Sequence, residues 1–237
     1  MSEAREQILA GIRRSLRRGP LDPGTDANMR ARIASHHRNP LPARATRLDG
    51  TARIDLFVAM AEEVQTTVAR VRSLATVPGE VARYLAAENL PAEMVMAPDP
   101  DLEAIPWGTR PLLQFRRGRA QAEDAVSVTP CFAAIAETGT LMLISGAQTP
   151  TTLNFLADTH IVIVRGGQIV ATYEDAWDRL RARGASPDGL PRAVNFITGP
   201  SRTGDIEQRI ELGAHGPRRL HVVLVDDRQR KSDVQDA

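Results

Sequence analysis

The stretch "HIVIVRGGQIVATYEDAWDRLRARG", His160 to Gly184, carries the reading of the fold. Its first five residues, His160–Val164, are a short apolar run rich in β-branched side chains, which predicts a buried strand. "GGQIVAT" predicts a turn into a short strand. "YEDAWDRLRARG" predicts an amphipathic helix that ends at Gly184, with arginines in its last turn where they complement the negative end of the helix dipole. The same alternation extends to either side. "EMVMA" (93–97), "PLLQF" (111–115) and "AVSVT" (125–129) are strand candidates, and the glycine-led "GTLMLIS" (139–145) reads as a central strand. "TTLNFLAD" (151–158) suits a short helix, "AVNFIT" (193–198) a buried strand, and "LHVVLVD" (220–226) the last strand. Upstream, "TARIDLFVAMAEEVQTTVARV" (51–71) predicts one long helix with Ile54, Phe57, Val58, Ala61 and Val64 on one face. "PGEVARYLAAENL" (78–90) predicts a second. Strands that alternate with helices imply an α/β fold with a largely parallel sheet covered on both faces. In such sheets ligands sit beyond the strand ends where connections diverge, so the loops after strands are the places to search.

Residues 3–18 fit an amphipathic helix, with Ile8, Ile12 and Leu16 at helical spacing among arginines. Residues 19–50 read as a linker rich in Pro, Gly and Arg around a short helix candidate, "MRARIASHHR". The expected organisation is an N-terminal amphipathic helix and linker (1–50), an α/β domain (51–226) and a polar C-terminal tail (227–237).

Composition narrows the function. Formal net charge is +1 across 237 residues, so no global field favours nucleic acid or an anionic membrane. No apolar run approaches the ~18 residues of a membrane span, and the N-terminus lacks the apolar core and small-residue cleavage site of a secretory signal. A cytoplasmic location is expected. Cys131 is the only cysteine, so the chain alone cannot supply four thiolates to an iron–sulfur cluster, and no metal ligand set is expected. Lys231, in the tail, is the only lysine. P-loop and Schiff-base chemistry both need a lysine in a site and are disfavoured.

Four stretches carry candidate chemistry. In "AIAETGTLML" (134–143), Glu137, Thr138, Gly139 and Thr140 precede a strand. A carboxylate among apolar residues serves as a base, a nucleophile or a ligand anchor, or it satisfies the backbone of a turn. Gly139 permits a tight turn or close approach of a ligand. In "GPSRTGDIE" (199–207), Gly199 and Pro200 shape the loop, Ser201 or Thr203 is a candidate cap for a short helix, and Asp205 falls in its first turn. Free N–H groups there favour an anion, and Arg202 is suited to clamp it. The alternative is an ordinary turn, with Asp205 locking Arg202. In "LGAHGPRRLH" (212–221), His215 lies between Gly213 and Gly216 and reads as a general acid–base or as a turn-holding side chain, while His221 reads as structural. Cys131 reads as a small buried residue rather than a nucleophile.

Taken in order, "AIAETGTLML", "HIVIV", "NFITGPSRTGDIE" and "LGAHGPRRLHVVLVD" resemble the LUD-domain family over residues ~125–226, by the pattern of motifs. "AREQILAGIRRSL" near the N-terminus is also similar. The resemblance implies a three-layer fold like the NagB/RpiA/CoA-transferase group. It implies a place in a system that oxidises L-lactate to pyruvate, with iron–sulfur clusters carried by partner proteins and none in this chain. It carries over Glu137, Thr138, Gly139, Thr140, Gly199, Pro200, Ser201, Arg202, Thr203, Asp205, His215 and Gly216 as site residues. Glu137 and His215 take the catalytic roles, and the remainder line a pocket for a small carboxylate or phosphate. The related fold also hosts transferases and ligases, so a stand-alone CoA-transferase-like or ligase-like enzyme using Glu137 is the alternative. A homo-oligomer is left open.

Overall fold

The computed structural model describes residues 3–38, 40–183, 190–206 and 209–226. The chain divides after Pro40 into two compact units. The first holds helices α1 (Glu3–Ser15) and α2 (Pro23–Ser35). Ile8, Ile12 and Leu16, the apolar stripe of α1, are exposed. The expected linker contains the whole of α2, because Asp22 caps it by accepting the Thr25 N–H at 2.9 Å and Pro23 occupies its first turn.

The second unit begins with α3 (Ala43–Thr46) and α4 (Gly50–Glu63), whose first N–H groups, from Thr51 and Ala52, are accepted by Asp49. Strand β1 (Thr67–Val71) follows, then α5 (Val77–Ala87), β2 (Glu93–Met96), α6 (Pro100–Glu103), β3 (Gln114–Arg117) and β4 (Val126–Pro130). Next come β5 (Ala133–Ile135), β6 (Thr140–Ile144), β7 (Thr159–Arg165), β8 (Ile169–Val170) and α7 (Tyr173–Ala182). The chain closes with β9 (Val194–Ile197), β10 (Arg202–Ile206), β11 (Arg209–Leu212) and β12 (Arg219–Val225). Six strands form a parallel sheet in the order β1-β12-β7-β4-β2-β3. The fold is α/β, as the alternation of strands and helices indicates.

One face of this sheet packs on α5 and α6 through Val95, Val128, Ile161 and Val223 against Val81, Leu85 and Leu102. The opposite face, through Val162, Val164, Val222 and Leu224, packs on Ile54, Phe57 and Ala61 of α4 and on a second sheet. That second sheet has the order β8-β5-β6-β9, with β8–β5 parallel and the other pairs antiparallel. Its far side is covered by Ala176 and Leu180 of α7. Strands β4 and β7, neighbours in the large sheet, each continue after a few residues into a neighbouring strand of the small one. Among the described residues no helix is long and apolar enough to cross a membrane.

Several expectations need correction. The helix predicted over 51–71 stops at Glu63, and its last residues are strand β1. Gln65 takes a left-handed φ of 67°, and the Thr66 N–H returns to the Ala61 carbonyl at 2.9 Å. Glycine is the usual residue at such a helix end. Here a glutamine fills the position, so the sequence carries no visible stop. "GTLMLIS" is an inner strand, flanked by β5 and β9, but it belongs to the small sheet. "AVNFIT" is the edge of that small sheet and only half-buried. The third strand starts at Gln114, leaving Leu112 exposed. The residues just after Gly199 are strand rather than helix: 202–206 pair with β11, so the short helix that Ser201 or Thr203 would start is not formed there. The predicted helix end at Gly184 and the tail 227–237 lie outside the described residues.

Candidate functional site

The second and third motifs meet at the base of the β10–β11 hairpin. The Ser201 N–H donates to the Pro217 carbonyl at 2.8 Å, and the Gly213 N–H donates to the Ser201 carbonyl at 3.0 Å. The His215 N–H donates to Ser201 Oγ at 3.3 Å. These bonds hold Gly199–Arg202 beside His215–Pro217, and together the two loops wall a cavity of about 240 Å³. Asn154, Phe155, Phe196, Thr198 and His160 are among the other residues that line it. Arg202 stands at the edge of this cavity, exposed, with Nη1 3.4 Å from Gln65 Oε1.

The first motif lies beside this cavity and is joined to it by hydroxyls. Thr140 Oγ1 is 2.6 Å from Thr198 Oγ1, 2.7 Å from Thr138 Oγ1 and 2.9 Å from the Tyr173 hydroxyl. Glu137 is buried, and its Oε1 accepts the Tyr173 N–H at 3.1 Å at the start of α7. A carboxylate at a helix start is stabilised by the dipole and by the free N–H groups there. The Glu137 carbonyl accepts from Arg44 at 2.8 Å. Glu137 lines neither of the cavities described in this section. Thr203 is half-buried and pairs in register with Glu211, while the side chain of Asp205 lies outside the described residues.

Both motif glycines press against the end of α4. Gly139 has φ 66°, and a Cβ there would lie 2.3 Å from the Ala61 nitrogen. Gly199 has φ 76°, and a Cβ there would lie 2.4 Å from the Val64 carbonyl oxygen. These close approaches are to the protein's own backbone, so the two glycines seat α4 against the loops that form the cavity.

His160 also lines the smaller cavity, although sequence reasoning did not single it out. It opens an apolar strand and was read only as part of it. It is fully buried, its Nε2 lies 2.7 Å from Thr129 Oγ1, and burial pushes its pKa down to about 3. The readable signal was polar residues at alternate positions of buried strands: Ser127 and Thr129 of β4 project to the same face as His160. Ser127 Oγ donates to the Leu153 carbonyl at 2.7 Å, fixing the short turn of 3₁₀ helix that carries Asn154.

A larger cavity, about 510 Å³, lies at the carboxyl ends of β2 and β4. These two strands are neighbours whose onward connections diverge, β2 toward β3 and β4 toward β7. That is the crevice where open α/β sheets bind ligands. Asp99, Thr129, Asn154, Gln168 and Arg179 line it, and burial raises the Asp99 carboxyl above its ordinary value. Asn154 belongs to both cavities. Among the described residues no three His, Cys, Asp or Glu side chains gather to hold a metal ion.

The pattern of the LUD domain matches residues 54–225, which includes every strand of both larger sheets. The chain belongs to the LUD-domain family. The chain is 34% identical over 109 residues to lactate utilization protein C of Halalkalibacterium halodurans, covering 46% of this chain and 47% of that protein. It is 37% identical over 109 residues to lactate utilization protein C of Bacillus subtilis, covering 46% and 45%. The match thus spans under half the length of these relatives. A crystal structure of a DUF162 family protein from Deinococcus radiodurans is similar with a TM-score of 0.58 and 27% identity, covering 75% of this chain and 99% of that one.

Cys131 also borders the larger cavity of the LUD domain, yet it is 3% exposed, with Sγ 3.1 Å from the Ala133 carbonyl. Burial pushes its thiol up to about 12. At pH 8 the thiolate fraction is then roughly one in ten thousand, and the thiolate is the reactive form. Iodoacetamide is expected to leave the native protein unmodified at pH 8 and to label it in denaturant. Rapid labelling of the native chain, read by mass spectrometry, would contradict this reading of Cys131.

Proposed function

We propose that this protein is a component of an L-lactate utilization system and binds a small carboxylate in the cavity between Ser201, His215 and His160. In this reading the oxidation of L-lactate to pyruvate runs in an assembly whose iron–sulfur partner proteins take the two electrons, while this chain holds substrate or product. The observation that carries it is the convergence of separate LUD motifs on one polar cavity, in a chain similar to proteins named for lactate utilization. Arg202 at the cavity's edge supplies a guanidinium for the carboxylate. Nothing in the geometry favours an acyl transfer through Glu137, whose carboxylate is engaged by the start of α7.

Growth of an in-frame deletion strain on L-lactate as sole carbon source tests the role. The deletion is expected to abolish growth on L-lactate and not on glucose, with rescue by the wild-type chain and weak rescue by Arg202→Ala. Normal growth of the deletion strain, with no second copy of the gene present, would remove the lactate role.

A further inference from the structure

We infer that the larger cavity, at the carboxyl ends of β2 and β4, is a second binding site that takes an organic phosphate monoester. The phosphate sits on Arg179 and Arg183, and the organic body meets Asn154, Phe132 and Ile144. The inference does not depend on the carboxylate reading of the smaller cavity, because it uses different charged groups.

Asn154 is 5% exposed, and its side-chain amide has no hydrogen-bond partner among the described residues. What is accessible of it lines the two cavities. An amide carries two N–H donors and an acceptor oxygen, and keeping them unpaired in the interior costs free energy. Native proteins rarely keep such a group without a purpose. The amide is also held in place, since its 3₁₀ turn is fixed by the bond from Ser127 Oγ to the Leu153 carbonyl. A polar group that is nearly buried, unpaired and fixed in position is what a ligand-facing side chain requires.

The charges around the cavity decide the sign of the ligand. Asp99 accepts the Asp101 N–H at 2.9 Å, capping α6, and Asp101 pairs with Arg165 at 3.1 Å. Both carboxylates are therefore engaged within the chain. The guanidinium groups on the other side of the balance are not neutralised. Arg179 donates one N–H to the Gly167 carbonyl at 3.1 Å and lies over the Phe132 ring, but it forms no ion pair among the described residues. Arg183 is exposed and forms none either. Arg181, between them in sequence, is paired with Asp178 at 2.9 Å. Residues four apart at a helix end lie one above the other, where like charges repel. Two such guanidinium groups lining one cavity, neither paired with a carboxylate, make a clamp for an anion. One guanidinium fork satisfies a carboxylate. A phosphate monoester offers three terminal oxygens and close to two charges, enough for both forks. The volume of about 510 Å³ leaves room for an organic body beside the phosphate, and Phe132 and Ile144 give that body apolar surface. The position is also the crevice where the connections of the large sheet diverge.

The test is calorimetric titration of the full chain with phenyl phosphate, inorganic phosphate and benzoate, at pH 8 and constant ionic strength. Phenyl phosphate is expected to bind at least about tenfold more tightly than either of the others. Arg183→Gln, at an exposed position, should weaken its binding by about tenfold. Arg30→Gln, which removes the same charge from α2, should leave it unchanged. Asn154→Ala should weaken it as well, with a urea unfolding curve run beside it, and Arg183→Gln carries the test if that variant does not fold. Benzoate or inorganic phosphate binding as tightly as phenyl phosphate would overturn the inference. So would equal losses in Arg30→Gln and Arg183→Gln, or a loss in Arg202→Ala with none in Arg183→Gln, which would place the phosphate in the smaller cavity. Failure of phenyl phosphate to bind at millimolar concentration would overturn it outright.

Discussion

Replacing Gly139 by alanine is expected to destabilise the protein by about 3 kcal/mol, one of the largest effects of any single-methyl addition in the chain. Two costs combine. The backbone at Gly139 has φ 66°, which an L side chain adopts only with strain. The added Cβ would also sit 2.3 Å from the Ala61 nitrogen and 2.5 Å from the Met60 carbonyl carbon. Those are main-chain atoms of α4, and α4 is fixed in turn by Ile54, Phe57 and Ala61 in the core. The clash cannot be relieved by a rotamer change. Gly167→Ala is the control, because a Cβ there meets nothing within 4 Å and its effect should stay within about 0.5 kcal/mol. Urea denaturation measures both. A Gly139→Ala penalty below about 1 kcal/mol would mean that α4 does not bear on this loop.

The second large effect is loss of stability in mild acid. Burial holds His160 at about 3, and burial holds His221 at about 4. His221 stacks on Tyr84 with ring centroids 3.8 Å apart, and its Nδ1 lies 2.8 Å from Thr67 Oγ1. In the unfolded chain both rings titrate near 6.5. Their folded values are depressed, so the stability they contribute is fully present above the unfolded value. It is lost as pH falls below about 6.5, because the unfolded chain takes up protons that the folded chain refuses. The loss levels off only near 3 to 4, where the folded rings take protons themselves. At pH 5 each ring costs about 2 kcal/mol relative to pH 8. The unfolding free energy is therefore expected to fall by about 4 kcal/mol between pH 8 and pH 5 from these two groups, and His221→Phe should remove about half of that fall. A flat profile over this interval would show that the rings are not buried as described.

Particular residues explain how much of this was legible in the sequence. The strands His160–Val164 and Leu220–Val225 were readable because both faces of a parallel sheet are covered, which makes such strands apolar in all but one residue each, His160 and His221. Helix α7 was readable from its amphipathic pattern and its basic last turn, Arg179 and Arg181; the structure adds an acidic first turn, Glu174 and Asp175. The second sheet was not. Ala133–Ile135 has three small or apolar residues between Cys131 and Glu137, and its pairing with β6 and β8 is set by tertiary contact rather than by local pattern. Strand β1 was hidden because a glutamine ended the preceding helix, although the β-branched run Val64, Thr66, Thr67, Val68 was available as a signal.

The site divided in the same way. Ser201, Arg202, His215 and Gly216 could be picked out because glycine-rich loops after strands have a known use. That Gly139 and Gly199 would seat a helix could not be seen, since the helix end they touch is more than 70 residues away in sequence. His160 stayed hidden inside an apolar strand because its importance lies in what surrounds it: Thr129 from one neighbouring strand and a cavity closed by loops from another.

The central claim is that the small cavity is where the protein meets its ligand. Gly216 tests it most directly. A Cβ there would lie 3.5 Å from the Ser201 Cβ and 3.7 Å from the Phe155 ring, an ordinary contact with two residues that line the cavity, so a longer side chain built on it extends among them, and the unfolding curve checks that the fold survives. The measurement is calorimetric titration of Gly216→Leu with L-lactate, beside its urea unfolding curve. The expected result is a normally folded protein that has lost L-lactate binding. A normally folded Gly216→Leu that binds L-lactate as tightly as the wild type would place the ligand elsewhere and contradict the account.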